Sequence, residues 1–96
     1  MPLSPVIARN RQAIVDIARR YNARNVKVFG SMARGDADDN SDVDLLVDFS
    51  ADTSLLDRIA LAQEIEKLLG RKIDLVSADK LHKLIRKSVL EESIPL

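Results

Sequence analysis

Val6, Ile7, Ile14, Ile17, Ala18 and Tyr21 recur at helical spacing behind a Ser4-Pro5 pair. The pattern predicts a first helix running to about Tyr21, with Ser4 as N-cap and Pro5 at its first position. Residues 22–25 read as a turn, and Val26-Lys27-Val28-Phe29 as a short strand that meets a tight turn at Gly30. Residues 31–34 fit a short helix capped by the Ser31 hydroxyl and stopped by Gly35, and residues 36–41 form a polar loop. Val43, Leu45, Val47 and Phe49 then alternate with Asp42, Asp44, Leu46 and Asp48, which predicts a strand with one core face and one mostly acidic face. Thr53 or Ser54 caps a helix whose apolar positions include Leu55, Ile59, Ala62, Ile65 and Leu69, with Gly70 closing it. Lys72-Ile73-Asp74-Leu75-Val76 predicts a third strand, with Asp74 facing away from Ile73 and Leu75. A last helix covers roughly residues 80–92, with Leu81, Leu84, Ile85 and Val89 on one side. The fold class expected from this order is α/β (α+β), a small mixed sheet with helices packed on it.

Length narrows the picture. The 96 residues are enough for one domain and leave no room for a separate substrate domain. A hydrophobic share of 46% beside 31% charged residues is that of a soluble globular chain. No apolar run is long enough to span a membrane, and Met-Pro-Leu-Ser-Pro lacks the regions of a signal peptide. With no cysteine, disulfides and thiolate metal sites are excluded, and a cytoplasmic location is expected. Net charge is zero but unevenly spread. Residues 35–57 hold no Lys or Arg, yet carry Asp36, Asp38, Asp39, Asp42, Asp44, Asp48, Asp52 and Asp57. The stretch before them is basic, with Arg9, Arg11, Arg19, Arg20, Arg24, Lys27 and Arg34 against Asp16. A second basic stretch holds Arg71, Lys72, Lys80, Lys83, Arg86 and Lys87. Taken alone this reads first as a set of solvated faces, and only secondly as the outline of a cation site flanked by anion-tolerant surfaces. Tyr21, Phe29 and Phe49 are the only aromatics, which argues against direct nucleic-acid binding by base stacking.

Chemistry enters where three features combine. Gly30 allows the backbone to approach a ligand, and the following N–H groups with the Ser31 hydroxyl can donate to phosphate oxygens. Asp42 and Asp44 stand two residues apart, so on a strand both carboxylates leave the same face. At 4 Å and an effective dielectric of 20 their repulsion is about 4 kcal/mol, which a divalent cation removes. Carboxylates suit Mg²⁺, and Asp74 on another strand can add a third ligand, enough for two ions about 3.5–4 Å apart. Each aspartate alone reads as a solvated surface group; the three with the phosphate loop do not. Asp36, Asp38, Asn40 and Asp42 also fit the early positions of a calcium loop. Ser41 where that loop needs Gly, and Val47 where it needs Glu, reject it. His82, the lone histidine, reads as a surface residue and Tyr21 as packing at a helix end.

Gly30-Ser31-Met32-Ala33-Arg34-Gly35 followed by Ser41-Asp42-Val43-Asp44-Leu45 resembles the G-S-x-A-R-G…S-D-x-D-L pattern of the polymerase-β-like nucleotidyltransferase superfamily. Val47-Asp48-Phe49, the Asp74 strand and the Ile94-Pro95-Leu96 ending narrow the likeness to the minimal nucleotidyltransferases, MNT or MntA-type proteins. The resemblance implies a polymerase-β-like core in which Gly30 and Ser31 hold the triphosphate. It also implies that Asp42 and Asp44 bind both Mg²⁺ ions, with Asp74 completing one site and helping to activate the acceptor. Arg34 either neutralises phosphate charge or lies on the short helix surface. MNT proteins are similar to the antitoxin half of HEPN/MNT modules. The implied reaction therefore moves AMP from ATP to a hydroxyl, of Tyr in the leading reading, on a HEPN toxin. Two alternatives stand beside it: neutralisation of the partner by binding alone, and transfer to RNA or to a small-molecule hydroxyl.

Overall fold

The computed structural model describes residues 3–38 and 40–96. Met1 and Pro2 of the N-terminal stretch, and Asp39 of the acidic run, lie outside the described residues. Helix α1 spans Pro5–Arg20, β1 Ala23–Phe29, α2 Ser31–Arg34, β2 Val43–Phe49, α3 Leu55–Leu69 and β3 Ile73–Ser77. A 3₁₀ turn follows at Ala78–Lys80, then α4 at Lys83–Glu92 and a two-residue β4 at Ile94–Pro95. The strands form one mixed sheet in the order β3-β2-β1-β4. β1 runs antiparallel to both β2 and β4, whereas β2 and β3 are parallel, joined through α3.

Helix α1 starts as expected, with Pro5 in the first turn, but the Ser4 side chain makes no cap hydrogen bond. It buries Ile7, Ile14, Ile17 and Ala18, and its last turn carries Arg19 and Arg20, favourable to the helix dipole. These side chains join Val26, Val28, Val43, Leu45, Val47, Leu61, Ile65 and Ile73 in one core between the sheet and helices α1 and α3. Ser54 caps α3 by a capping box with Asp57, and Gly70 ends it in the left-handed region.

Several expectations are corrected. Residues 22–25 are not simply a turn: β1 begins at Ala23, and the pairing slips between Arg24 and Lys27. Asn25 sits there at φ 55°, with its amide donating to Asp48 at 2.7 Å, so the short polar side chain tolerates a kink inside the strand. Leu55 and Ile59 of α3 are exposed, and the buried stripe is Leu61, Ile65 and Leu69. The last helix begins at Lys83 rather than near Lys80, because His82 is its N-cap, accepting the Leu84 N–H on Nδ1. None of its residues is buried, and Leu84 is 84% exposed, so the apolar side predicted for it is not packed on this chain. Gly30, not Ser31, is the N-cap of α2, and no side chain caps it. Among the described residues no helix is long and apolar enough to cross a membrane.

Candidate active site

The parallel register pairs Asp44 with Asp74, and the antiparallel register pairs Phe29 with Asp44. Partners across a sheet share a face, so the end of β1 and both aspartates meet on the face opposite the main core. Val43 and Leu45 point into the core from the alternate positions of β2. Leu46 lies on the acidic face by register yet is only 1% exposed, so that face is not wholly polar. Asp42 precedes β2 by one residue and is exposed, where the sequence pattern had placed it on the strand.

Electrostatics report the convergence. The Asp44 carboxyl is raised above its ordinary value, first by burial and then by the negative charges of Asp74 and Asp42, with Arg34 opposing. The negative charges of Asp74 and Asp42 are therefore both felt at Asp44. As the side chains stand, no three acidic groups among the described residues are arranged to hold a metal ion. The donor set is entirely carboxylate oxygen, half-buried at Asp44 and exposed at Asp42 and Asp74. That chemistry fits a hard divalent cation that keeps waters and phosphate oxygens in its shell.

Gly30 joins this group from β1. Its φ of 72° and ψ of −151° belong to a region that side chains other than hydrogen rarely enter. A Cβ placed on it would collide with the Asp44 carboxylate and lie 3.3 Å from its Cγ. The glycine thus lets the loop and the central carboxylate touch, which is the close approach the sequence motif implied. Ser31 opens α2 directly after it. Arg34, at the end of α2, faces Asp36 at 3.2 Å and Glu92 at 3.3 Å. The Asp36 hydrogen bond foremost, then charge, holds the guanidinium firmly protonated. Gly30, Ser31, Arg34, Asp42, Asp44 and Asp74 are thereby gathered at one end of the sheet.

Two further residues shape the site and were not singled out by sequence. Arg71 donates through Nη1 to the Asp38 carbonyl at 2.8 Å and the Ser41 carbonyl at 3.3 Å, bracing the loop that leads into Asp42. The same loop is closed locally by Ser41 Oγ, which accepts the Asp38 N–H at 2.9 Å. Glu92 accepts the Gly30 N–H at 2.7 Å. Arg71 stood out only as one member of a basic stretch, and nothing in the local sequence marked Glu92. A cavity of about 620 Å³ lies elsewhere, between α1 and the β1–β4 edge, lined by Arg19, Arg24, Lys27 and Leu96 among others.

The chain is similar to several known proteins. A protein adenylyltransferase, MntA, from Thermococcus cleftensis is 44% identical over 79 residues, covering 82% of this chain and 80% of its own. A Methanocaldococcus jannaschii protein whose name assigns it as an adenylyltransferase is 32% identical over 84 residues, covering 88% of this chain and 90% of its own. A solved structure assigned as a minimal nucleotidyltransferase superposes with a TM-score of 0.86 at 43% identity, over 94% of this chain and 92% of that one. The fold also recurs in a Shewanella oneidensis complex of a tri-AMPylated HEPN toxin with an MNT antitoxin. The TM-score there is 0.69 at 20% identity, over 92% of this chain and 69% of that one. Residues 12–96 match the family described as Polymerase beta, Nucleotidyltransferase, and the chain belongs to that family.

Proposed function

We propose that this chain is a protein adenylyltransferase that moves AMP from ATP to a hydroxyl, that of a tyrosine, on a HEPN-type partner, and so acts as its antitoxin. The observation that carries the reading is the convergence of Asp44 and Asp74, paired across parallel strands, with Asp42 beside them and Gly30 against Asp44. The MntA relative at 44% identity supports the choice of adenylyl transfer and of a protein acceptor.

In this mechanism Gly30 and Ser31 receive the triphosphate, and Arg34, held by Glu92, offers its remaining guanidinium N–H groups to a phosphate oxygen. Asp42 and Asp44 would hold two Mg²⁺ ions, with Asp74 completing one site. Bound Mg²⁺ supplies charge neutralisation on the phosphates and a lowered pKa at the acceptor oxygen. The acceptor oxygen forms a bond to the α-phosphorus in line with the departing pyrophosphate, whose bond to that phosphorus breaks. Asp74, exposed on the edge strand of the sheet, helps to activate the acceptor by taking up the hydroxyl proton.

The test is the intact mass of the neighbouring-gene HEPN-type protein after incubation with this chain, Mg²⁺ and ATP, beside an Asp42→Asn control. Mass gains in AMP units that vanish in the control are expected. A partner silenced in a tight complex with no gain in mass would replace transfer by neutralisation through binding.

A further inference from the structure

The short strand β4 pairs Lys27 with Pro95 and Val28 with Ile94. Carried two residues further, that antiparallel register sets Glu92, the last residue of α4, opposite Gly30. There one carboxylate oxygen, Oε1, accepts the Gly30 N–H at 2.7 Å and faces Arg34 Nη1 at 3.3 Å. A charge-assisted bond of this length is among the stronger hydrogen bonds a protein makes. In a capping box the residue three positions after the N-cap accepts the N-cap N–H. In α2 that position is Ala33, which has no acceptor, and Glu92 supplies one from the far end of the chain.

We propose that Glu92 is a positioning residue: through the Gly30 N–H and the Arg34 guanidinium it presets the phosphate-binding loop for a nucleoside triphosphate. This rests on the nucleotidyl-transfer reading above. A mere tie between β4 and the loop would be served by a neutral acceptor. A carboxylate is repelled here by the acidic site, and Glu92 is one of the charges that push the Asp44 carboxyl upward. The charge gains over a neutral group where it engages Arg34, the cation nearest the loop. Strand β4, held also by the Leu96 N–H on the Val26 carbonyl at 2.8 Å and by Arg11 on the Pro95 carbonyl at 2.7 Å, delivers that carboxylate.

Binding of a non-hydrolysable ATP analogue with Mg²⁺ is measured by calorimetry for wild type, Glu92→Ala and Glu92→Gln, with amide NMR spectra and melting midpoints of the nucleotide-free proteins. Removing a charge-assisted contact to the loop should weaken binding about tenfold or more in Glu92→Ala. Glu92→Gln, which keeps an acceptor for Gly30, should recover part of the affinity and a Gly30 amide resonance close to wild type. Both variants should melt no more than a few degrees below wild type, because the lost contact is offset by relief of repulsion at Asp44. Alanine binding as tight as wild type, or tighter, would overturn the proposal and make Glu92 a competitor for the anion site. A weakening that Gln does not relieve, matched by a large drop in melting midpoint, would reduce Glu92 to a structural anchor. Wild type that binds no nucleotide would remove the transferase reading and this proposal together.

Discussion

Gly30→Ala separates the contact at the centre of the site from the general need for glycine. Gly30 and Gly70 both have positive φ, 72° and 67°, but only Gly30 has a neighbour in the way. Nothing lies within 4 Å of a Cβ on Gly70, so Gly70→Ala carries only the left-handed penalty of about 1–2 kcal/mol. At Gly30 the backbone occupies a region worth about 1–3 kcal/mol of strain to any other residue. The new methyl also strikes the Asp44 carboxylate, an overpacking conflict typically costing 1–3 kcal/mol. The expected loss is therefore about 2–6 kcal/mol, centred near 4, for Gly30→Ala against about 1–2 for Gly70→Ala. Urea unfolding at constant slope reads the two values directly. A domain of ordinary stability survives either change, so transfer can be assayed on folded protein. Gly30→Ala should then be inactive, because Asp44 has been displaced, while Gly70→Ala keeps its activity. Equal urea midpoints with transfer retained in Gly30→Ala would refute the close approach as the reason for the glycine.

Asp44→Asn should abolish transfer and stabilise the metal-free protein at neutral pH. The folded-state pKa of Asp44 is raised, so its contribution to stability is full below its ordinary value of 3.8 and is lost as pH rises through the folded value. The variant's advantage in melting midpoint should therefore grow with pH and disappear in acid; no advantage at pH 7 would show the carboxylates do not strain one another. Ser54→Ala removes the cap of α3 and should cost about 1 kcal/mol with transfer intact, since α3 meets the site only through the strands it joins. Loss of activity without loss of stability in that variant would contradict the assignment.

What the sequence made legible was what local chemistry decides. The alternation around Val43, Leu45 and Val47 marked β2, and Gly30 marked the junction where a side chain cannot fit. Ser54 and Gly70 marked the ends of α3. Where tertiary partners decide, local pattern failed. Leu55 and Ile59 are apolar at helical spacing, but α3 leaves them exposed and buries Leu61 beside the expected Ile65 and Leu69. Asn25 reads as a turn residue and is a kink inside a strand, because Asp48 on the adjacent strand receives its amide. Strand β4 is too short for any periodicity, and only its pairing with β1 defines it. Of the expected site residues, Asp74 is paired with Asp44 by the strand register and Gly30 lies against the Asp44 carboxylate. Glu92 escaped because its role depends on a register set by residues more than sixty positions away.

The parallel pairing of β2 with β3 also bears on how fast the protein becomes competent. Asp44 meets Phe29 through a neighbouring antiparallel strand, a connection that closes a modest loop. Asp74 reaches Asp44 only after the chain has passed through the whole of α3 and returned in the same direction. Pairings of that kind are intrinsically slow to form. Recovery of activity after dilution from denaturant should accordingly lag the return of helical signal. It should instead follow the probe that reports β3 docking.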